Sequence, residues 1–209
     1  MSSQDNRAIW EYYDRRSTQR APGVGNAVAY WQGLGVACTT EEVAAEAVEV
    51  ERLVRSLAPA RFLDVACGPG TFTGMLAGEG VALDQSANAV ERVAREHAHA
   101  TPVRGDAMEM PFRESSFDRA FISHLYGLLQ SDDSSALLAE ARRVAREVLI
   151  LDAGRPEGVA RQEWQDRTLP DGSAYRIYRR HLGAQELASE VGGKPVFAGT
   201  FYVMVAVGA

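Results

Sequence analysis

The sequence predicts an α/β fold: a doubly wound, seven-stranded and mainly parallel sheet with an antiparallel last strand, beneath a helical N-terminal cover. Three observations carry this. Short apolar strand patterns alternate with amphipathic helix patterns from residue 61 to 152. A glycine turn, Cys67-Gly68-Pro69-Gly70, follows the first strand pattern directly, at the carboxyl end where open α/β sheets hold ligands. The chain closes on two strand patterns separated near Gly199, a connection that forces an antiparallel pair.

At 209 residues and 46% hydrophobic, the chain can build one sizeable core. No run reaches the ~18 apolar residues of a membrane span. The N-terminal MSSQDNRAIWEYYDRR is polar and charged, which predicts a cytoplasmic protein. The net charge of −6 argues against a nucleic-acid partner. Cys38 and Cys67 lack metal-site spacing and read as unpaired, non-catalytic thiols.

The elements follow in order. Residues 5–16 carry a helical pattern that groups Ile9, Trp10, Tyr12 and Tyr13. Residues 17–38, with Pro22, Gly23, Gly25, Gly33 and Gly35, read as an irregular connection. Thr39-x-x-Glu42 is a capping box, and Val43, Ala47, Val50, Val54 and Leu57 line one face of the helix it opens. Pro59 ends that helix.

Strand 61–65 leads through the glycine turn to an expected helix at 70–78, with N–H groups at its start facing a ligand. Strand 81–83 ends in Asp84, and Ser86 caps a helix over 87–98. Strand 101–104 leads to Gly105-Asp106, and a loop over 108–116 to strand 117–123. A helix from Asp132 or Asp133 to about Ala145 precedes strand 147–152. Residues 155–182 read as an insertion with a short helix around 157–168. A helix over 184–191 ends at Gly192-Gly193, before the strands at 196–198 and 201–207. The organisation is thus a cover over residues 1–58 and a ligand-binding domain over 59–209.

Asp64, Asp84 and Asp106 fall in or after the first three strands. Asp84 lies 20 residues beyond Asp64 (84 − 64), where an acid offers two acceptor oxygens to vicinal ribose hydroxyls. Thr73 occupies the third glycine position of a dinucleotide fingerprint, and no Walker lysine is present. These departures exclude a nicotinamide cofactor and an ATPase loop.

Three segments together resemble the class I S-adenosylmethionine-dependent methyltransferases, a Rossmann-like family, in particular their small-molecule branch with its ubiquinone-biosynthesis members. They are Leu63-Asp64-Val65-Ala66-Cys67-Gly68-Pro69-Gly70, Val81-Ala82-Leu83-Asp84-Gln85-Ser86, and Arg104 to Phe112 followed by Ser116-Phe117-Asp118. Ala66 stands where the family more often has glycine. The resemblance implies S-adenosyl-L-methionine as cofactor and S-adenosyl-L-homocysteine as product. It implies that Asp64 lies near the methionine amino group and that Ala66, Cys67, Gly68 and Gly70 shape the loop. Asp84 would hold the ribose, Gln85 would flank the adenine, and Asp106, Ala107 and Met108 would contact it. Ser123 and His124 would sit beside the methyl group.

The acceptor is read from the remaining residues. His124 is the candidate base, since an imidazole titrates near ~6.5 and can take a hydroxyl proton; a structural histidine is the alternative. Tyr13, Tyr30, Trp31, Tyr126, Trp164 and His181 are candidates for a pocket around a small, partly apolar acceptor. Ser123-His124-Leu125-Tyr126 lacks the Asn/Asp-Pro-Pro-aromatic motif of amide and adenine methylation, and the acids of the metal-dependent group, so no metal is expected. The expected reaction is O-methylation at a hydroxyl. N- or C-methylation, and a cofactor-binding fold that serves as a cyclase or binding module, stay open. No nucleic-acid or membrane partner is expected, and a homodimer is compatible with the chain.

Overall fold

A computed structural model describes residues 9–15 and 24–208. Helix α1 covers residues 9–15, within the expected helix 5–16, whose other residues lie outside those described. Next come α2 (Val24–Gly33) and α3 (Thr40–Arg55). The alternating part holds β1 (Phe62–Val65), β2 (Gly80–Asp84), α4 (Ala87–Glu96), β3 (Ala100–Arg104) and β4 (Phe117–Ser123). A 3-10 turn (Tyr126–Leu128), α5 (Ser131–Val144) and β5 (Ala145–Ala153) follow. Then come β6 (Gln162–Thr168), β7 (Ala174–Arg180), α6 (Ala184–Val191), β8 (Lys194–Ala198) and β9 (Tyr202–Gly208).

Seven strands form one sheet in the order β3-β2-β1-β4-β5-β9-β8. β1 pairs in parallel with β2 and β4, so the strand order reverses on either side of it. β9 runs antiparallel to both β5 and β8. Alternation along the strands fills two cores. Leu63, Val65, Ile122 and Ile150 face α5 and α6 through Leu137, Val144 and Leu187. Phe62, Phe121, Leu149 and Met204 face α3 and α4 through Val50, Val54 and Val93. A parallel sheet covered on both sides needs apolar strands throughout, and β1 is buried at all four positions. No helix among the described residues is long and apolar enough to cross a membrane.

Local signals hold where they are stereochemical. Thr39 accepts the Glu42 N–H while Glu42 accepts the Thr39 N–H, closing the capping box of α3. Ser86 caps α4 through the Ala89 N–H. Gly192, at φ 63, ends α6 in the left-handed conformation that glycine adopts without cost.

Three expectations are corrected. First, residues 24–33 are helical rather than irregular. Val28 and Trp31 fall on one side and are buried with Val43, Ala153 and Phe201, and the glycines at 33 and 35 end the helix rather than prevent it. Residues 17–23 lie outside those described. Second, no helix forms over 70–78: residues 71–75 make turns, held by Gly74 N–H to Gly70 C=O and Leu76 N–H to Phe72 C=O. Gly78 must lie against the backbone of Ala60 and Gly80 against Phe62, which draws the chain back to the sheet within a few residues.

Third, residues 162–180 form a β-hairpin rather than a helix at 157–168. Asp171-Gly172 is a hairpin turn signal between alternating segments. Tyr175, Ile177 and Arg179 face inward, and Ile177 packs with Ile9, Tyr12 and Leu128. Trp164 and Tyr178 stack on the outer face, with their ring centroids 5.5 Å apart.

Candidate active site

A cavity of about 880 Å³ opens over the carboxyl ends of β1, β2, β4 and β5. Its floor at one end is the glycine turn. Ala66 (φ 55) and Gly68 (φ 52) are left-handed, which turns the backbone sharply after β1. A Cβ on Gly68 would meet nothing within 4 Å, so the backbone borders open space there.

The carboxylate of Asp84 fixes this turn. Its Oδ2 accepts the Gly68 N–H and its Oδ1 accepts the Ser86 N–H, each at 2.8 Å. Each oxygen retains a lone pair, so two further donors can be received on the cavity side. That donor set suits a vicinal diol, and the residues present therefore fit an adenosine cofactor. Burial is the largest influence on Asp84 and raises its pKa, against the N–H bonds from Ser86 and Gly68. Gln85, Ser86, Gly105 and Ala107 continue the wall.

Asp64 lies beneath the turn, not in the cavity wall. It is fully buried, and its Oδ2 accepts the Thr73 hydroxyl at 2.5 Å. Its Oδ1 makes no hydrogen bond. Burial, opposed by Thr73, pushes its pKa up to about 7. Cys67 lines the cavity with a thiol that burial keeps protonated. Gly70 is packed below the turn, where a Cβ would meet the His97 ring at 2.7 Å. His97 and His99 thus brace the loop, and His99 Nε2 lies 3.0 Å from the Thr73 carbonyl oxygen. In the sequence only the neighbouring Gly70 and Gly74 hint at this packing. Asp106 turns away from the cavity and accepts the Met108 N–H at 2.8 Å. Neither Asp106 nor Met108 borders the cavity, while Ala107 between them does.

Ser123 and His124 stand at the end of β4 and line the cavity. His124 adopts φ 53, a conformation that β-carbons disfavour. Its amide donates to Leu151 C=O at 2.8 Å, and its ring lies near Phe72 and Tyr202. Nδ1 is 4.0 Å from Asp152 Oδ1.

Asp152 and Arg179 were not singled out from sequence. Asp152 ends β5, accepts the Gly127 and Ala153 N–H groups, and takes Arg179 Nη2 at 2.6 Å. Burial opposes both charges. Arg179 and His124 still hold the Asp152 carboxyl below its ordinary range, and Asp152, Tyr30 and Tyr13 hold the guanidinium above its own. The signal available in the sequence was the inward alternation of Tyr175, Ile177 and Arg179, read as part of an insertion.

Tyr13, Tyr30 and Trp31 line the cavity, together with Ala47 and Val50 of α3. The Tyr30 ring contacts Trp31, with centroids 4.9 Å apart. His181 is fully buried behind them. Its Nδ1 faces the Ala160 carbonyl at 3.3 Å and so carries the proton, leaving Nε2 to accept the Tyr30 hydroxyl at 2.5 Å. Burial first, then Arg179, lowers the His181 pKa to about 4, so the ring stays neutral. His181 does not border the cavity, and two further expected pocket residues lie elsewhere. Tyr126 donates to Glu190 under the Arg180 guanidinium, and Trp164 is 39% exposed on the outer hairpin face. The inward faces were already filled, by the α6 contact and by Ile177 respectively.

Comparison with known proteins gives a consistent picture. A family model described as a methyltransferase domain matches residues 62–147. An O-methyltransferase, cnsE, of Penicillium expansum is 30% identical over 69% of this chain and 57% of its own length. A demethylmenaquinone methyltransferase of Bacillus velezensis is 35% identical over 47% of each chain. The chain spans little more than half, or less, of these relatives' length. The solved DhpI–SAH complex superposes with a TM-score of 0.73 at 20% identity, over 99% of this chain and 97% of that one. Residues 62–147 thus match a methyltransferase domain, and the whole chain shares the fold of solved S-adenosylmethionine-dependent methyltransferases.

Proposed function

We propose that the protein transfers a methyl group from S-adenosyl-L-methionine to a hydroxyl of a small, partly apolar metabolite. One observation carries this reading: a single cavity runs from the Ala66–Pro69 turn and Asp84, past Ser123 and His124, to Tyr13, Tyr30 and Trp31. It has room for a nucleoside cofactor at one end and an acceptor at the other. The neighbours described as complexes of DhpI with SAH, and with SAM and HEP, are consistent with such a pair of occupants.

When bound, the cofactor supplies a methyl group activated on a sulfonium. The chain's own residues have three tasks. Asp84, held by Gly68 and Ser86, receives the ribose hydroxyls, and Gln85 and Ala107 bound the adenine. Tyr13, Tyr30 and Trp31, carried by the segment 1–58, cover the acceptor and exclude water, which aligns the reacting atoms. His124, turned toward the Asp152 carboxylate, takes the hydroxyl proton at an imidazole nitrogen. Asp152 favours the imidazolium that results.

The test has two parts. Titration calorimetry with S-adenosyl-L-homocysteine measures the cofactor site, and a panel of hydroxylated aromatic metabolites with methyl-labelled cofactor measures transfer. Cofactor binding without labelled product from any hydroxyl, and with product from amines instead, would overturn the O-methylation reading.

A further inference from the structure

Arg179 lines the cavity, is 6% exposed, and has an Nε that makes no hydrogen bond. A guanidinium offers its N–H groups as a rigid planar fork. Asp152 grips one Nη of that fork at 2.6 Å and is itself occupied by two backbone N–H groups. The plane is therefore fixed, with a dry donor left over. Arg180 also has a buried Nε without a partner, but it is engaged by Glu190 and does not border the cavity.

A second cation stands on the same wall. Arg167 faces inward from β6, opposite Tyr175 and four pairs along the ladder from Arg179. Its guanidinium lies 5.1 Å from the Tyr30 ring centroid and donates to the neutral Gln165 amide. No ion pair of Arg167 occurs among the described residues. The wall thus holds two guanidinium groups: Arg179 is bonded to Asp152, and Glu163, opposite Arg179 in the ladder, accepts from the Gln165 amide. Asp152 does not itself border the cavity; the carboxylates that do are Glu11, Asp14, Glu51 and Asp84, and Asp14 acts on Asp84 at the turn.

Resting on the methyltransferase reading above, we infer that Arg179 and Arg167 form an anion subsite, and that the acceptor is a small hydroxylated organic acid. Its carboxylate or phosphate group sits on the two guanidinium groups. Charge-assisted bonds to a buried fork orient such a group strongly. The remaining body lies against Tyr30 and Trp31. The hydroxyl falls on the His124 side, because His124 Nδ1 and Arg179 Nη2 both face Asp152 Oδ1.

The test is calorimetry on the protein saturated with S-adenosyl-L-homocysteine, using benzoate and phenyl phosphate against benzyl alcohol as the neutral probe. At least one anion should bind about tenfold tighter than benzyl alcohol. Arg179→Gln should remove that preference and leave the homocysteine product's affinity unchanged. Arg167→Gln should weaken it by about tenfold; this half-buried position keeps the test open if Arg179→Gln does not fold. Equal binding of benzyl alcohol, no saturation by either anion, or a preference that survives Arg167→Gln overturns the subsite. Failure of wild-type protein to bind S-adenosyl-L-homocysteine, measured first, would instead overturn the reading on which the inference rests.

Discussion

The Asp84 carboxylate accepts the Gly68 N–H at 2.8 Å, so the acid at the end of β2 holds the turn at the end of β1. Loop shape and ligand capture are therefore coupled in one side chain. Asp84→Ala leaves the Gly68 and Ser86 N–H groups without their partner and should cost about 2 kcal/mol in stability. It should also weaken S-adenosyl-L-homocysteine binding by more than about tenfold. Asp84→Asn keeps an acceptor oxygen and should fall between. Thermal unfolding and calorimetry separate the two effects; loss of stability with intact affinity would assign Asp84 to the loop alone.

His124 is the one imidazole in the cavity wall among the described residues. If it removes the acceptor's proton, His124→Ala should lower kcat by about 10²- to 10⁴-fold with little change in cofactor affinity. The ascending limb of the pH–rate profile should vanish with it. A variant that keeps most of the rate and the same profile would point to an acceptor atom that needs no base.

Gly68 and Gly70 are both left-handed, but they face different surroundings. At Gly68 the Cβ direction is open; at Gly70 it meets the His97 ring at 2.7 Å. Gly68→Ala should therefore cost only the backbone strain, about 1 kcal/mol, and act chiefly on cofactor affinity. Gly70→Ala should be the more destabilising in a denaturant melt, and His97→Ala should recover part of that loss. Equal stability of the two alanine variants would contradict the packing of His97 beneath the turn.

The sheet was legible because its signals are local. Paired apolar strands, the Thr39 and Ser86 caps and the Gly192 stop each act within a few residues. Asp84 was legible for the same reason, since it follows a strand at a fixed interval from the glycine turn. The misread segments depend on distant partners. Val24–Gly33 is helical because Trp31 finds Val43 on the next helix and Ala153 and Phe201 far along the chain. The hairpin 162–180 carries a turn dipeptide and a period of two, but its polar outer face hid them. Arg179 could not be assigned until β7 was seen to turn inward onto Asp152.

The Asp152–Arg179 pair should be strongly cooperative. Both side chains are less than 8% exposed. Breaking a buried pair from one side leaves a charge without compensation, which costs about 3–5 kcal/mol. Asp152→Ala should pay this in full, because it also strands the Gly127 and Ala153 N–H groups. The double variant Asp152→Asn with Arg179→Met should be the more stable, since it removes both charges and retains an acceptor. Denaturant midpoints of the single and double variants complete the cycle; simple additivity would show that the two groups do not act as a pair.

Asp64 makes stability depend on pH in an unusual direction. A free carboxyl titrates near ~3.9, whereas burial raises that of Asp64 to about 7 against the bond from Thr73. Between these values the folded state binds more protons than the unfolded one, so stability falls as pH rises. The penalty is complete above the folded value and absent below the unfolded one. The unpartnered Oδ1 is where the extra proton resides with least conflict, because no donor competes for it. Asp64→Asn keeps the shape and cannot ionise. It should raise stability on the order of 2–4 kcal/mol at pH 8, and leave it nearly unchanged at pH 4. Urea midpoints at the two pH values measure this. An equal loss at both would mean that the asparagine disturbs the Thr73 contact and that ionisation of Asp64 carries no cost.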